Sequence, residues 1–310
     1  MIHALDALPQ VGPAALTLGV FDGVHRGHAA LLEATVRVAE ERGVSSAALV
    51  FEPHPDEVLR PGTVVPRLTP LATVLERTGG DCGVAWPLAV RFDDELRQRS
   101  AEEFVAALAP AVELRALVMT PDAAFGRGRG GTVARMRELG AERGFEVVTV
   151  EPVLVGGEVV SSTRIRGAIA AGDIGLARSL GYPPRLEGTV VVGDRRGRSL
   201  GFPTANLAFD YAPAMPALGI YVGRAAVPER GVGPGHPALV SVGVRPTFHD
   251  EGSVLVEVHL LDYDGDLYGA RLQVDLLERL REERRFDDAA SLIEQMKLDE
   301  AAARGYLGIG

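Results

Sequence analysis

The ten residues Gly19–His28 (GVFDGVHRGH) lie at a boundary between two kinds of sequence pattern. The apolar stretch Ala14–Leu18 before them predicts a buried strand, and the residues after them have the spacing of a helix packed on one side. A helix start attracts anions, because its first backbone N–H groups lack partners and its dipole is positive there. His25 and His28 add hydrogen-bond donors that can carry charge. The pattern therefore predicts a strand-to-helix crossing that binds a phosphate. The apolar positions of the predicted helix are Leu31, Leu32, Ala34, Val36, Val38 and Ala39.

Two other interpretations of this histidine pair stay open. The spacing of His25 and His28 suits half of a metal site, although no cysteine or carboxylate cluster nearby completes a coordination shell. The second interpretation is a solvated loop without a ligand. The glycines Gly19, Gly23 and Gly27 favour the phosphate site, because glycine lets a backbone approach a ligand closely.

The size of the chain favours two domains, because 310 residues exceed the length at which one core usually stops growing. A formal net charge of −10 argues against nucleic acid as a partner. No apolar run approaches the roughly 20 residues that span a bilayer, and the first residues lack the pattern of a secretion signal. Cys82 is the only cysteine. These features predict a cytoplasmic protein without disulfides, membrane segments or nucleic-acid partners.

Arginine supplies almost all of the positive charge. Of the 32 basic residues, 31 are arginine, and Lys297 is the single lysine. This excludes a phosphate loop of the Gly-Lys-Ser/Thr type, a kinase with a strand lysine and a Schiff-base enzyme with a central lysine. If a chain of this composition handles phosphates, it must use arginine, histidine, backbone amides and a metal ion.

The first half alternates strands with helices, which predicts a parallel, doubly wound sheet. The strand Ser45–Phe51 ends at Glu52–Pro55, where two prolines enclose His54 and give a rigid loop. Ligands of such sheets lie at the carboxyl ends of the strands, although a stiff turn without a ligand is an equally good interpretation. Further predicted strands are 82–86, 114–119 and 145–151, and predicted helices are 72–77, one that begins at a capping box at 100–103, and one that ends at residue 143.

Two segments of the first half combine arginines with glycines or hydroxyls. Phe125–Gly131 has four glycines and two arginines, a composition that suits a polyphosphate but is also common in solvated linkers. Ser161–Arg166 (SSTRIR) has three hydroxyls at a predicted helix start, followed by two arginines. By itself this segment is a good helix cap. Together with His25 and His28 it suggests a second clamp on one triphosphate.

Short strands separated by turns replace the helical pattern after Gly181–Pro184. They predict a small antiparallel β-barrel followed by a final helix that starts near Asp287. We therefore expect two domains, 1–183 and 184–310. The predicted strands are 185–192, 220–226, 237–242, 254–261 and 271–276, and the inner side of the final helix has Leu292, Ile293 and Met296.

The segment Gly193–Leu207 has glycines spaced at four and three arginines, a pattern typical of a nucleotide-binding loop or of an ordinary hairpin. Thr204 and Asn206 are two apart in an extended stretch, so their oxygens face one side. Neutral oxygens beside a bound triphosphate suit Mg²⁺, a hard ion.

The strand from Val254 has two distinct faces. Its alternate valines and Leu260 share one face, which predicts the core, and Glu257 falls on the opposite face with His259. A carboxylate in that position is usually solvated. Beside a Mg–ATP loop it is instead a candidate general base for a hydroxyl.

The pattern G-x-F-D-G-V-H-x-G-H, followed later by S-S-T-x-x-R, resembles the nucleotidylyltransferases. More narrowly, it resembles the N-terminal module of bacterial bifunctional riboflavin kinase/FAD synthetases. The second half is similar to the kinase module of the same enzymes. The matching segments are GRSLGFPTANL at 197–207, GVRPTF at 243–248, EVHLLD at 257–262 and DLYG at 266–269. The resemblance covers nearly the whole chain.

This resemblance implies a Rossmann-like nucleotidylyltransferase domain and a riboflavin kinase barrel. The barrel would phosphorylate riboflavin to FMN with Mg–ATP, with Glu257 activating the flavin hydroxyl. The first domain would adenylylate FMN to FAD and release pyrophosphate, with His28 and Arg166 at the reacting phosphates. The substrates would be riboflavin, FMN and ATP, and the chain would act as a monomer or a transient homo-oligomer. The implied ATP-binding residues are Phe21, Asp22, Gly23, His25, His28, Ser161, Ser162, Thr163, Arg164, Arg166, Gly193, Arg198, Gly201, Pro203 and Thr204; the implied flavin-binding residues are Pro53, His54, Asp122, Phe125 and Arg245; and the implied metal ligands are Thr204 and Asn206.

One segment departs from the family pattern. Where the family usually has G-x-D/N-F-x-F-G, this chain has TPDAAFG at 120–126, so that Thr120 replaces a glycine and Ala123 replaces an aromatic residue. Loss of a ring removes stacking area of the kind that a flavin uses. Two other functions are therefore kept as alternatives. One is a riboflavin kinase whose first module is impaired or adapted to a modified flavin, and the other is a non-catalytic flavin-binding or regulatory protein.

Overall fold

The computed structural model describes residues 1–193, 201–244 and 254–309. The chain divides into two compact units, Met1–Ser162 and Thr163–Gly310. The short region between Thr163 and Pro183 is therefore grouped with the second unit, and the expected boundary between residues 183 and 184 stays a prediction. Within the described ranges, no helix combines the length and the apolar character that a membrane crossing requires.

The first unit is built on a parallel sheet. Its strands are β1 (Ile2–His3), β2 (Gly12–Gly19), β3 (Ser45–Glu52), β4 (Trp86–Arg91), β5 (Val112–Met119), β6 (Ala124–Phe125), β7 (Gly131–Thr132), β8 (Glu146–Thr149), β9 (Leu154–Val155) and β10 (Glu158–Val159). Six of them pair in parallel in the order β1-β4-β3-β2-β5-β8, and β6–β7 and β9–β10 form short antiparallel pairs. The chain builds outward from β2 on both sides, so the switch point lies between β2 and β5. Ligands of doubly wound sheets bind at that point.

Helices cover both faces of this sheet, as the predicted doubly wound class requires. They are α1 (Arg26–Arg42), α2 (Pro55–Leu59), α3 (Leu71–Gly80), α4 (Asp94–Gln98), α5 (Ala101–Leu108) and α6 (Val133–Arg143). Apolar residues of α1 and α3 form one core with Ala15 of β2, and those of α5 and α6 form the other core with Leu16. Neighbouring residues of β2 thus point to opposite cores, as the alternation of a strand requires.

The predicted strand at 82–86 is wrong. Residues 82–85 follow α3 and lie outside any strand; the N–H of Cys82 donates to the carbonyl of Arg77, and Gly83 has a φ of 73°. The strand begins at Trp86 and continues to Arg91. Pro87 lies inside it, and a proline within an apolar run normally argues against a strand.

The second unit contains the predicted closed antiparallel barrel and terminal helix. Its strands are β11 (Arg185–Val191), β12 (Ala205–Ala208), β13 (Gly219–Val227), β14 (Val232–Val244), β15 (Val254–Leu260) and β16 (Arg271–Arg281), and its helices are α7 (Ser162–Ala170), which starts at the last residue of the first unit, α8 (Ile174–Ser179) and α9 (Ala289–Leu307). The barrel closes in the order β11-β12-β15-β14-β13-β16. On β15 the predicted inner face is buried at Val256, Val258 and Leu260, whereas Val254 at the strand end is 42% exposed.

Helix α9 is tied to the barrel by a buried ion pair. The guanidinium of Arg281 on β16 donates to both carboxylate oxygens of Asp299, at 2.8 and 2.7 Å, and Gln295 donates to the same carboxylate at 2.9 Å. The side chains of Arg281 and Asp299 are only 13% and 8% exposed. On the outer side of this helix, Lys297 is exposed.

Candidate active sites

The two histidines of the opening motif lie at the start of α1. His25 is the N-cap, and its Nδ1 accepts a hydrogen bond from the backbone N–H of His28 at 3.3 Å. The two imidazole rings stack with centroids 3.7 Å apart and 18° between their planes. Phe21 meets the ring of His28 edge-on at 5.3 Å. The structure therefore brings the two rings together where the helix dipole is positive, which is suitable for an anion.

The buried side chain of Asp22 stabilises the loop that contains the two histidines. Its carboxylate accepts hydrogen bonds from the backbone N–H groups of Leu68 and Thr69 at 2.9–3.0 Å, and the residue is 2% exposed. The hydroxyl of Ser162 donates to the carbonyl of Asp22 at 3.0 Å. Phe21 is 1% exposed. Phe21 and Asp22 thus shape the loop, and their predicted contact with ATP stays a prediction.

Glycine is favoured at two points of the loop. Gly23 has a φ of 85°, in the left-handed region that side chains disfavour. A Cβ on Gly27 would lie 3.2 Å from the ring of His25 and 3.3 Å from the carbonyl oxygen of Val160. These positions therefore keep the backbone close to the histidine pair.

The second predicted clamp is the continuous segment Ser161–Arg166. Ser161 and Ser162 end the first unit, and Ser162 contacts the histidine loop through Asp22. Thr163, Arg164 and Arg166 lie on α7 and belong to the second unit. The three hydroxyls and two arginines therefore do start a helix, as the sequence pattern predicts.

A cavity of about 610 Å³ opens at the carboxyl ends of β2, β3 and β5, next to the switch point of the sheet. Asp122 and Phe125, two of the predicted flavin-binding residues, line it. Pro53 and His54 are not among its lining residues; His54 instead caps α2, with its Nδ1 accepting the N–H of Asp56 at 3.1 Å. Thr120 and Ala123, the two positions that depart from the family pattern, also line the cavity. Its lining further includes Arg97 and Arg129.

Four aromatic rings form one side of this cavity. Phe51 meets Phe92 at 5.6 Å and Phe104 at 6.4 Å, and Phe104 meets Phe125 at 5.0 Å between ring centroids. Only Phe125 was predicted from the sequence. The other rings come from β3, the segment after β4, and α5, so no local spacing connects them. The one available signal is that Phe51 ends a predicted strand.

Near this cavity, Glu52 ends β3 and pairs with Arg67 at 3.2 Å, and Arg67 also contacts Glu57 at 3.4 Å. Burial raises the pKa of Glu52, and the positive charge of Arg67 opposes that rise only in part. This carboxyl group therefore keeps its proton to a higher pH than an exposed glutamate.

The barrel contains the second candidate site. The hydroxyl of Thr204 donates to Oε1 of Glu257 at 3.2 Å, and Asn206 lies directly opposite Glu257 in the pairing of β12 with β15. All three line a cavity of about 440 Å³. Asn206 is 6% exposed. The structure thus brings together the two predicted metal ligands and the predicted general base.

Gly193 lies against this cluster. A Cβ there would lie 2.3 Å from Nδ2 of Asn206, so no larger residue fits without displacement of the amide. Gly201, further along the same segment, is exposed and has a φ of 88°. Arg198 and Arg245, which were predicted to bind ATP and flavin, lie outside the described residues.

A second barrel cavity, of about 450 Å³, adjoins Pro203 and Thr204. Thr204 therefore lines both barrel cavities. The sequence analysis placed Leu292 and Met296 on the inner side of the final helix, but it did not predict that residues of α9 and β16 line the 440 Å³ cavity. They are Arg281, Leu292, Met296 and Asp299. Within the described ranges, no group of three or more histidine, cysteine, aspartate or glutamate side chains could hold a metal ion.

Comparison with known proteins finds the same two parts in the same order. The family model of FAD synthetase matches residues 9–164, and that of riboflavin kinase matches residues 180–307. The bifunctional riboflavin kinase/FMN adenylyltransferase of Escherichia coli K12 is 38% identical, over 99% of this chain and 97% of its own length. The proteins of that name from Pseudomonas fluorescens and Bacillus subtilis are 39% and 31% identical, over 96% and 94% of this chain and 94% and 92% of their own lengths.

A solved structure from Streptococcus pneumoniae, titled as a macrolide-efflux protein, has a TM-score of 0.87 and 31% identity. The match covers 98% of this chain and 97% of that one, so the likeness extends over the whole fold. The two domain matches and the full-length relatives show that both parts of such an enzyme are present in this chain. The chain therefore belongs to the family of bifunctional riboflavin kinases/FMN adenylyltransferases, and it is an enzyme with both activities.

Proposed function

We propose that each of the two activities has its own pocket. Phosphorylation of riboflavin takes place in the barrel, around Thr204, Asn206 and Glu257. Adenylylation of FMN takes place at the carboxyl edge of the parallel sheet, between the histidine loop and the 610 Å³ cavity. The observation that carries the proposal is the Thr204–Glu257 hydrogen bond of 3.2 Å at the wall of an open cavity.

In the barrel, Glu257 acts as the general base. It accepts the proton of the terminal ribityl hydroxyl while that oxygen attacks the γ-phosphorus of ATP and ADP leaves. A positioned carboxylate is effective here because the hydroxyl must lose its proton as the new P–O bond forms. Leu292 and Met296 of α9 supply apolar surface for the flavin ring in the same cavity.

The residues around Glu257 fit a magnesium ion. Thr204 and Asn206 offer neutral oxygens beside a carboxylate, and a hard ion with few protein ligands takes the rest of its shell from water and phosphate. Bound there, Mg²⁺ supplies positive charge to the phosphate oxygens. Pro203, Thr204 and the glycines Gly193 and Gly201 bind the triphosphate beside it.

In the sheet unit, the phosphate of FMN attacks the α-phosphorus of ATP, and pyrophosphate leaves. The attacking phosphate is already anionic, so no general base is needed, and the residues contribute positioning and charge stabilisation. His25, His28 and the N-terminus of α1 bind the phosphates. Residues Ser161–Arg166 form the second clamp, with Arg166 at the reacting phosphates.

The 610 Å³ cavity binds the flavin end of FMN. Its size is within the range of pockets for such ligands, and the rings of Phe51, Phe92, Phe104 and Phe125 supply apolar surface. Arg97 and Arg129 line it together with Asp56 and Asp122, so the cavity has both positive and negative groups. The alternative of kinase activity alone is not favoured, because the FAD synthetase match includes Thr120 and Ala123.

Four further properties complete the proposal. A net charge of −10 supports a protein that does not bind nucleic acid. A single cysteine supports a reducing, cytoplasmic location. We further propose that the chain acts as a monomer or a transient homo-oligomer, with the domain boundary at residues 183/184.

Incubation with riboflavin, ATP and Mg²⁺, followed by chromatography of the flavins, tests the proposal. We expect FAD to accumulate, with FMN as the intermediate, and no conversion after chelation of the metal with EDTA. Accumulation of FMN alone would contradict the role of the sheet unit. Tight binding of flavin without conversion would contradict both proposed sites.

A further inference from the structure

His259 lies two residues beyond Glu257 on β15, so both side chains emerge on the same face of the strand. Both line the 440 Å³ cavity. Although His259 lines the cavity, its imidazole makes a hydrogen bond to the protein backbone. Its Nδ1 lies 2.7 Å from the carbonyl oxygen of Pro203, 56 residues away in sequence. A carbonyl oxygen only accepts hydrogen bonds, so Nδ1 is the donor.

The hydrogen bond between His259 and Pro203 lies just beyond the point where the backbone pairing of β12 with β15 ends. β12 pairs with β15 at Asn206–Glu257 and Ala205–Val258, and the pairing goes no further toward Pro203. Proline has no N–H to donate, so it cannot extend an antiparallel ladder. The ring of His259 binds the carbonyl of that proline instead. Phe202 adds an edge-on contact with the same ring, with centroids 5.6 Å apart.

The hydrogen bond from His259 to Pro203 also affects the position of Thr204, because one peptide bond joins Pro203 to Thr204. The carbonyl of Pro203 belongs to the rigid peptide plane that joins it to Thr204. A hydrogen bond that holds this carbonyl therefore restrains the N and Cα atoms of Thr204, from which its side chain leaves the backbone. That side chain donates to Glu257 at 3.2 Å.

We propose that His259 is a positioning residue of the kinase site. By binding the carbonyl of Pro203, it keeps the hydroxyl of Thr204 against Glu257 and in reach of the metal-bound phosphates. The proposal rests on the roles proposed above for Thr204 and Glu257. Neither the phosphates nor the flavin needs to touch His259 for this effect.

Two substitutions distinguish the effect of the His259 hydrogen bond from the effect of its aromatic ring. His259→Asn keeps a donor at an equivalent place, because the amide nitrogen of asparagine and Nδ1 of histidine are both bonded to Cγ. His259→Phe keeps an aromatic ring beside Phe202 but has no donor. The matched control is His236→Phe, because Nε2 of His236 makes a similar bond of 2.8 Å to the carbonyl of Leu261 and His236 lines neither barrel cavity.

We expect His259→Phe to lower the kcat of riboflavin phosphorylation on the order of 10- to 100-fold, the scale of a small misplacement of reacting groups. The KM for riboflavin and the adenylylation of supplied FMN should not change. His259→Asn should recover most of the kinase turnover, and His236→Phe should keep it. Equal losses in the Asn and Phe variants would overturn the proposal, as would loss of both activities together with a lower unfolding temperature.

A double-variant comparison tests whether the effect passes through Thr204. If it does, Thr204→Val with His259→Phe loses no more turnover than Thr204→Val alone. Losses that multiply would overturn the proposal. Glu257→Gln, measured in parallel, tests the general base by itself: normal turnover there would reject Glu257 as the base, while non-multiplying losses at His259 and Thr204 would still support the positioning role.

Discussion

The backbone N–H of His28 donates to Nδ1 of His25, and the two rings stack 3.7 Å apart. This arrangement selects the tautomer of His25. Because Nδ1 accepts, a neutral ring carries its hydrogen on Nε2, where it can donate to an anion. The residue that caps the helix thus also carries a donor nitrogen, on a side chain that is buried in this structure.

His25→Asn separates these two functions. Asparagine is a good N-cap, so the start of α1 and the stability of the sheet unit should be kept. Its side chain is too short to replace the Nε2 donor, and we expect FMN adenylylation to fall on the order of 10²- to 10³-fold. Riboflavin phosphorylation in the same preparation is the internal control. Unchanged adenylylation would show that His25 acts only as a cap.

Glu257→Gln keeps the shape of the side chain but removes the base. We expect FMN formation to fall by roughly 10²- to 10⁴-fold, the usual contribution of general base catalysis. The variant should still convert supplied FMN to FAD, which chromatography of the flavins measures directly. Normal kinase turnover would show that Glu257 is misassigned.

The buried pair of Arg281 and Asp299 allows a prediction about stability. Asp299→Leu leaves the guanidinium of Arg281 buried without its partner, which typically costs about 3–5 kcal/mol. Arg281→Met combined with Asp299→Leu removes both charges and should recover most of that loss. Denaturant unfolding monitored on the barrel unit measures both effects. Equal destabilisation in the single and double variants would contradict a charge-based cause.

Glu52 gives a prediction about pH. Burial raises its pKa above 4.5 in the folded chain, so the native state binds this proton more tightly than the unfolded state does. Its stabilising contribution is complete below about pH 4.5 and is lost as the pH rises through the raised pKa. Compared with Glu52→Gln, the wild-type chain should therefore become relatively less stable over that window. Unfolding temperatures of both chains at a series of pH values test this, and a constant difference would contradict it.

The sequence predicted those parts of the fold that rest on local pattern. The apolar stretch Ala14–Leu18 and the helical spacing after His28 were sufficient for β2 and α1, and the alternation from Val254 was sufficient for β15. β4 was misplaced because Pro87 interrupts its pattern. β12 is only four residues long, and the sequence analysis described it as an extended stretch without giving it strand bounds.

For the candidate sites, too, local patterns could be predicted and contacts between distant parts of the chain could not. Thr204, Asn206 and Glu257 were predicted from alternation on two extended segments, and the structure brings them together through the pairing of β12 with β15. The aromatic side of the sheet cavity could not be predicted, because its four rings come from four separate places in the chain. The link from His259 to Pro203 was hidden for the same reason, since no local spacing connects residues that far apart.

The position of Lys297 has a practical consequence. It is exposed on α9, and its neighbour Met296 lines the 440 Å³ cavity. Succinimidyl esters acylate amines, so in this chain they can label just one side chain. A fluorophore coupled there would lie next to a residue that lines the 440 Å³ cavity, in which we propose that the flavin binds. Substrate binding could then be followed optically without any cysteine engineering.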